Sequence, residues 1–285
     1  MAKTIGNPFQ WAVEGVGGVG AGFGSAMRGI AGSAAPPQIK EIGRDEVYEA
    51  LRKGVDDALT FRSDVLVAVA MYPVIGLCLA ALALDMALLP LLFPVISGFA
   101  LIGPLAAVGL YEMSRRRSAG QEVGWGAAFG ALGSPSISAL IVLGLVLLSL
   151  FLAWIGAAAV LYSLTLGPEP PVSLAAFAAD VVGTGAGWAM ILVGCAVGGA
   201  FAALVLAVSV VSFPLLIDRP VGVVTAVVTS VRFARTNLRV TATWGGIVVA
   251  GLVLGTLPLF LGLIVVMPVL GHATWHLYRA GIAHG

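Results

Sequence analysis

Charged residues along this chain are gathered into clusters, and between the clusters run long stretches with none. A bilayer core about 30 Å thick takes roughly 20 apolar residues in helix, so each such stretch predicts a transmembrane span. The first, VLVAVAMYPVIGLCLAALAL, lies between Asp64 and Asp85; the second, between Asp85 and Glu112, is interrupted by Pro90, Pro94 and Gly103-Pro104. A third is expected near Ile137 to Ser163 and a fourth from Gly187 to Pro214. Val240 to Tyr278 is 39 residues without a charge, about 58 Å as one helix and nearly twice the core. It must fold back, and Gly-Thr-Leu-Pro at 255–258 is the natural corner. The pattern therefore predicts an all-α, polytopic bundle with six spans, at 64–84, 87–112, 137–163, 187–214, 240–256 and 258–280.

Outside the spans the pattern changes. In RDEVYEALRKGVDDALTFR, residues 44–62, Val47, Leu51, Val55 and Leu59 recur every four residues among charges, which predicts an amphipathic helix lying along the membrane surface. Residues 1–43 form a Gly-rich arm broken by Ala-Ala-Pro-Pro at 34–37. Its GVGGVG spells the dinucleotide fingerprint, but that motif works only between a strand and a helix, and no βαβ unit is predicted. The arm also lacks a cleavable signal pattern. Residues 63–285 make up the membrane domain. Within it, spans 2–3 and 4–5 read as a weak parallel repeat, each unit with a carboxylate and arginine (Glu112 and Arg115; Asp218 and Arg219) and then a semi-apolar surface segment. Gly194/Gly198 and Gly251/Gly255 are GxxxG pairs suited to close helix packing.

Composition agrees with this class: 59% hydrophobic and 10% charged residues, against about 25% charged in soluble domains. The net charge of +1 carries no signal for nucleic acid. The positions of the charges are informative. All 15 lysines and arginines fall before span 1, between spans 2 and 3 or 4 and 5, or after span 6, while the other connections hold only Asp85, Glu169 and Asp180. By the positive-inside rule both termini are cytoplasmic, and the amphipathic helices lie on the cytoplasmic face. Cys78 and Cys195 fall inside apolar runs without a CxxC companion and read as small packing residues.

The candidate chemistry sits in GHATWHLYR, residues 271–279. His272 and His276, one helical turn apart, share a face. Asp64, Glu112 and Asp218 end spans on the same side, so two imidazoles and three carboxylates can form one inner-face polar cluster, a constellation for a divalent metal or a proton path. The competing reading pairs each carboxylate with a nearby arginine (Arg62, Arg115, Arg219) and makes Trp275 and Tyr278 an interfacial aromatic belt. A bis-histidine haem is disfavoured, because its ligands must approach from opposite faces and the third histidine, His284, is at the tail. No cofactor is strongly implied, and the residues show no nucleophile with a base, no HExxH and no Walker loop.

EALRKGVDDALTFRSDVL, LLPLLFPVISGFALIGPLAAVGLYEMSRRR, SVVSFPLLIDR and VMPVLGHATWHLYR resemble a bacterial family of predicted integral membrane proteins, a domain of unknown function. The resemblance runs from the amphipathic helix to the C-terminus and implies fold and a bacterial inner membrane, not activity. Some members carry the label cytochrome c oxidase subunit I. A catalytic oxidase subunit holds two haems and a copper on about six histidines; this chain has three. It is therefore not that subunit.

Three functions follow as expectations. The first is a non-enzymatic accessory, assembly or scaffold subunit of a larger respiratory or photosynthetic membrane complex, with the lipid bilayer and other membrane subunits as partners and no nucleic acid. The second is a small transporter or channel using the inner-face carboxylates. The third is a metal- or cofactor-binding membrane protein using His272 and His276.

Overall fold

A computed structural model describes residues 36–60, 78, 81, 85–123, 125–258 and 260–283. Among the described residues the chain is helical, apart from one isolated antiparallel bridge between Ile39 and Ile282. The helices are α1 (Arg44–Thr60), α2 (Leu92–Ala106), α3 (Val108–Ser118), α4 (Ile137–Thr165), α5 (Leu174–Gly183), α6 (Gly185–Ser209), α7 (Ser212–Asp218), α8 (Val223–Thr236), α9 (Leu238–Thr256) and α10 (Leu263–Gly281). Short 3-10 segments, Leu89–Leu91 and Trp125–Gly133, precede α2 and α4.

Among the described residues three stretches are long and apolar enough to cross a membrane: α4 with 29 residues, Gly185–Asp218 with 34, and α9 with 19. A fourth is available if Leu89–Gly98 and Ala100–Ala106, bent by 41°, act as one broken span. These correspond to predicted spans 2 to 5. The break in span 2 fits its prolines, which remove a backbone donor and crowd the preceding turn; Pro104 sits inside α2. Predicted span 1, apart from Cys78 and Ala81, and Asp64 lie outside the described residues. Predicted span 6 coincides with α10, which is not among the helices of sufficient length and hydropathy. A helix nearly free of charge is not necessarily an apolar one: two histidines, Thr274, Trp275, Tyr278 and Arg279 occupy its second half.

The apolar helices pack through glycines. A Cβ on Gly98 would stand 2.6 Å from Phe151, and one on Gly198 would stand 3.0 Å from Trp154, so α2 and α6 both close on α4. The Trp154 indole N–H donates to the Pro94 carbonyl at 2.9 Å, satisfying a buried donor while tying α4 to α2. Gly194 faces Leu161, and Gly251 faces Val266, so both GxxxG pairs serve contacts within the chain. Cys195 is exposed on α6 and Cys78 is exposed as well, so neither is the packed core residue expected from sequence.

At the opposite end from α5 the helices converge on the second half of α10. Helix α1 does not merely lie on a surface there. Its buried residues are Val47, Ala50, Gly54 and Asp57, a face of 3-4-3 spacing that presses against α10. Of the stripe expected from sequence Val47 belongs to it and Leu51 packs half-buried against the core, while Val55 and Leu59 are exposed. Small residues decided the packing, because Ala50 and Gly54 let the backbones approach where Leu51 and Val55 would hold them apart. Gly271 is likewise closed over by Leu110 of α3, and Gly281 by Phe233 of α8.

The two ends of the described chain meet at this layer. Residues 38–42 run beside the tail, with Lys40 N–H donating to the Gly281 carbonyl and Ala283 N–H to the Gln38 carbonyl, both at 2.9 Å. Asn237, buried between α8 and α9, closes the other edge: its carbonyl oxygen accepts from Ile42 N–H at 2.9 Å and its amide donates to the Lys40 carbonyl at 3.1 Å.

Candidate functional site

The centre of this layer is Asp57, a carboxylate only 3% exposed. Helix α1 delivers it, α3 supplies Ser114 and Arg117, and α10 supplies His272 and His276. Ser114 Oγ donates to Asp57 Oδ2 at 2.5 Å, and His276 Nε2 lies 2.9 Å from the same oxygen. Arg117 reaches Asp57 Oδ1 with one nitrogen and Asp56 Oδ2, at 3.0 Å, with the other. His272, fully buried, places Nδ1 2.8 Å from Ser114 Oγ and 4.0 Å from Asp57 Oδ2.

Proton positions follow from this geometry. Burial pushes the Asp57 carboxyl up, but the hydrogen bonds from His276 and Ser114 and the charges of the two imidazoles outweigh it, leaving the group below its ordinary 3.8. The carboxylate is therefore ionised at neutral pH and accepts only. Ser114 spends its single proton on Asp57, so its contact with His272 must be donated by Nδ1–H. His276 must carry its proton on Nε2. The result is a hydrogen-bonded row, His272 to Ser114 to Asp57 from one side and His276 to Asp57 from the other.

The other predicted carboxylates are engaged elsewhere in the layer. Glu112 receives Arg115 through Nε at 2.7 Å and Nη2 at 2.8 Å, and Arg116 through Nε at 2.7 Å. Gly130, in the 3-10 segment before α4, leaves the space that the Arg116 guanidinium fills. Asp218 accepts from the Tyr278 hydroxyl at 2.6 Å and pairs with Arg219 at 3.3 Å; Arg219 also donates to the Ala283 carbonyl at 2.9 Å. His272 and His276 thus share a face as the spacing predicted, and the carboxylate between them is Asp57. The arginine pairing expected for Glu112 and Asp218 is present, with Arg116 and Tyr278 added.

Trp275 and Tyr278 are 1% and 0% exposed, so they form no interfacial belt. The Trp275 indole donates to Ser118 Oγ at 3.2 Å, and its ring packs on Tyr278 with centroids 5.3 Å apart. Helix α10 is enclosed here by α1, α3, α7 and α8, and an aromatic so enclosed has no headgroup to meet. Among the described residues, no group of three or more His, Cys, Asp and Glu side chains is arranged to hold a metal ion.

Asp57, Ser114 and Arg117 were not singled out from sequence. One signal for Asp57 was present: it continues the Val47, Ala50, Gly54 face at helical spacing, and a carboxylate in register with a small-residue stripe is aimed at the neighbouring helix. Ser114 carried no such signal.

Residues 91–218 match a family described as predicted integral membrane protein (DUF2189). The match covers somewhat less than half the chain, from α2 to the end of α7, and takes in the bent pair, α4 and the Gly185–Asp218 stretch. It is narrower than the resemblance read from sequence, leaving EALRKGVDDALTFRSDVL and VMPVLGHATWHLYR outside. No curated protein and no solved structure matches the chain. Family match and apolar helices together define an integral membrane protein, embedded in a lipid bilayer, of unknown function.

Proposed function

We propose that the chain is a six-span protein of the bacterial inner membrane, with both termini and the Asp57 layer on the cytoplasmic side, and that it serves as a non-enzymatic accessory, assembly or scaffold subunit of a larger respiratory or photosynthetic membrane complex. The observation that carries this reading is the use made of the buried charges. Asp57, Glu112 and Asp218 each hold several donors from neighbouring turns or helices, an arrangement that locks α1, α3, α7 and α10 together. Buried ionic networks so saturated fix one packing and present little to a substrate. The Gly-rich arm of residues 1–43 and the domain limits 44–62 and 63–285 belong to the same proposal, the part of the arm before the segment 38–42 that the tail and Asn237 hold being offered to the complex.

Lateral association is supported by α4, α6 and α9. Gly156, Gly199 and Gly246 have nothing within 4 Å of where a Cβ would stand, so each leaves room for a partner backbone in the membrane. The test is to isolate the tagged, full-length protein from its native membrane in mild detergent and identify every stoichiometric companion by mass spectrometry. Recovery with subunits of one energy-converting complex is expected. Recovery as a solitary monomer would overturn the reading.

A transport role is favoured by the 41° bend of the second span together with the row of polar groups around Asp57. Proton-coupled flux in proteoliposomes that Asp57→Asn abolishes would select it over the accessory role. A metal role for His272 and His276 would show as bound metal in the wild type that a His272→Ala/His276→Ala double variant lacks.

A further inference from the structure

We propose that the outer face of α8 and the first turn of α9 bind anionic phospholipid headgroups through Arg232, Arg235 and Arg239. Helix α8 connects two apolar stretches, Gly185–Asp218 and α9, so it runs at a membrane boundary. One side of it is packed inward through Ala226, Thr229, Ser230 and Phe233. On the other, Val224, Val228, Arg232 and Arg235 fall within an arc of about 80°, apolar at the start of the helix and basic at its end. Val224, Val228 and Leu238 are 55%, 38% and 68% exposed, and all three arginines are exposed.

Charge sets this face apart from the rest of the layer. Residues 219–285 contain five arginines and no aspartate or glutamate. Arg115 and Arg116 are spent on Glu112 and Arg117 on Asp57 and Asp56, while Lys53 on α1 stands 3.4 Å from Glu49. No carboxylate among the described residues pairs with Arg232, Arg235 or Arg239. A guanidinium fork matches phosphate oxygens in pairs, and valines beside it sink to the acyl boundary. Three such forks beside exposed apolar side chains fit a lipid phosphate with negative charge to spare. The proposal rests on membrane embedding and not on the accessory role, so either can fail alone.

The test is native mass spectrometry of delipidated, full-length protein titrated in parallel with phosphatidylglycerol and phosphatidylcholine. The wild type is expected to retain phosphatidylglycerol preferentially, with retention roughly fivefold weaker for each arginine removed in Arg232→Gln, Arg235→Gln and Arg239→Gln. Phosphatidylcholine retention should not change, and an Arg52→Gln/Lys53→Gln variant on α1 should behave as wild type. Single variants with unaltered melting temperatures keep the comparison valid if the triple variant is unstable. Equal phosphatidylglycerol retention in wild type and folded variants would overturn the proposal, as would loss of a co-purifying acidic protein with lipid retention unchanged.

Discussion

Gly54 of α1 and Ala273 of α10 cross so closely that a Cβ on the glycine would lie 2.6 Å from the Ala273 Cβ and 2.7 Å from both the Ala273 nitrogen and the Val269 carbonyl oxygen. Alanine would raise the intrinsic helix propensity of α1 by about 1 kcal/mol. Two of the three obstructing atoms are backbone and cannot turn aside, so overpacking of about 1–3 kcal/mol decides the sign. Gly54→Ala should therefore lower the melting temperature in detergent, whereas Gly246→Ala, with nothing within 4 Å, should hold or raise it. Ala273→Gly should rescue Gly54→Ala only in part, because it removes one obstruction of the three. Full rescue, or no loss to begin with, would mean that α1 is not docked at this distance.

The close crossing delivers Asp57 to its partners, and the two adjacent aspartates of α1 should differ sharply. Asp57→Ala leaves Arg117 and His276 without their buried acceptor, a change that costs about 3–5 kcal/mol. Asp56, whose side chain is 70% exposed, makes a screened contact worth less than about 1 kcal/mol. The pH dependence follows from the same pairing. Because folding holds the Asp57 carboxyl below its ordinary 3.8, its stabilising effect is complete above that value and is lost as pH falls through the lower, folded value. Thermal unfolding of wild type and Asp57→Asn should therefore differ above about pH 4 and begin to converge only as pH falls below it. A difference that failed to narrow below about pH 4 would assign the effect to another group.

The cores of α4, α6 and α9 were legible in the sequence because a bilayer demands length and lack of charge together, and both are read directly from Ile137–Thr165, Gly185–Ser209 and Leu238–Thr256. The face of α1 was not. Counting apolar side chains selected Val47, Leu51, Val55 and Leu59, of which Val47 is buried and Leu51 half-buried, whereas the closest packing runs through Ala50 and Gly54, whose contribution is close backbone approach. That error of about a quarter turn hid Asp57, and with it the carboxylate shared by the histidines. Trp275 and Tyr278 misled in a related way. An aromatic pair near an arginine reads as an interface belt until the helices that enclose it are known, and those come from residues far away in sequence.

The hydrogen-bonded row makes a spectroscopic prediction. With Asp57 ionised, the Ser114 hydroxyl points at Asp57, so neutral His272 should be the Nδ1–H tautomer and neutral His276 the Nε2–H tautomer. Nitrogen chemical shifts of selectively labelled histidine, assigned with single His→Gln variants, would separate the two. Ser114→Ala should remove the acceptor for His272 and change its shifts, with a stability loss of about 1–3 kcal/mol for the polar groups left behind. His276, bonded to the carboxylate directly, should keep its tautomer. Two histidines of the same tautomer in the wild type would contradict the row.

Asn237 offers a test of how the N-terminal segment is held. Its side-chain amide imitates a strand edge, giving one acceptor to Ile42 N–H and one donor to the Lys40 carbonyl while the tail pairs with the opposite edge of the segment. Asn237→Ala removes both bonds and leaves two backbone groups of the segment unpaired, at a cost of about 1–3 kcal/mol for each that remains buried. Asn237→Asp keeps the acceptor for Ile42 but sets a carboxylate against the Lys40 carbonyl, so it should release the segment nearly as well. Backbone amides of residues 38–42 should exchange faster in both variants, and those of residues 281–283 should follow, since the two strands protect each other. Amides in α4 and α6, which do not touch this clasp, should exchange as in the wild type. If only residues 40–42 respond and the tail stays protected, the pairing of Ile39 with Ile282 does not depend on Asn237, and the tail is held instead by Arg219 at the Ala283 carbonyl.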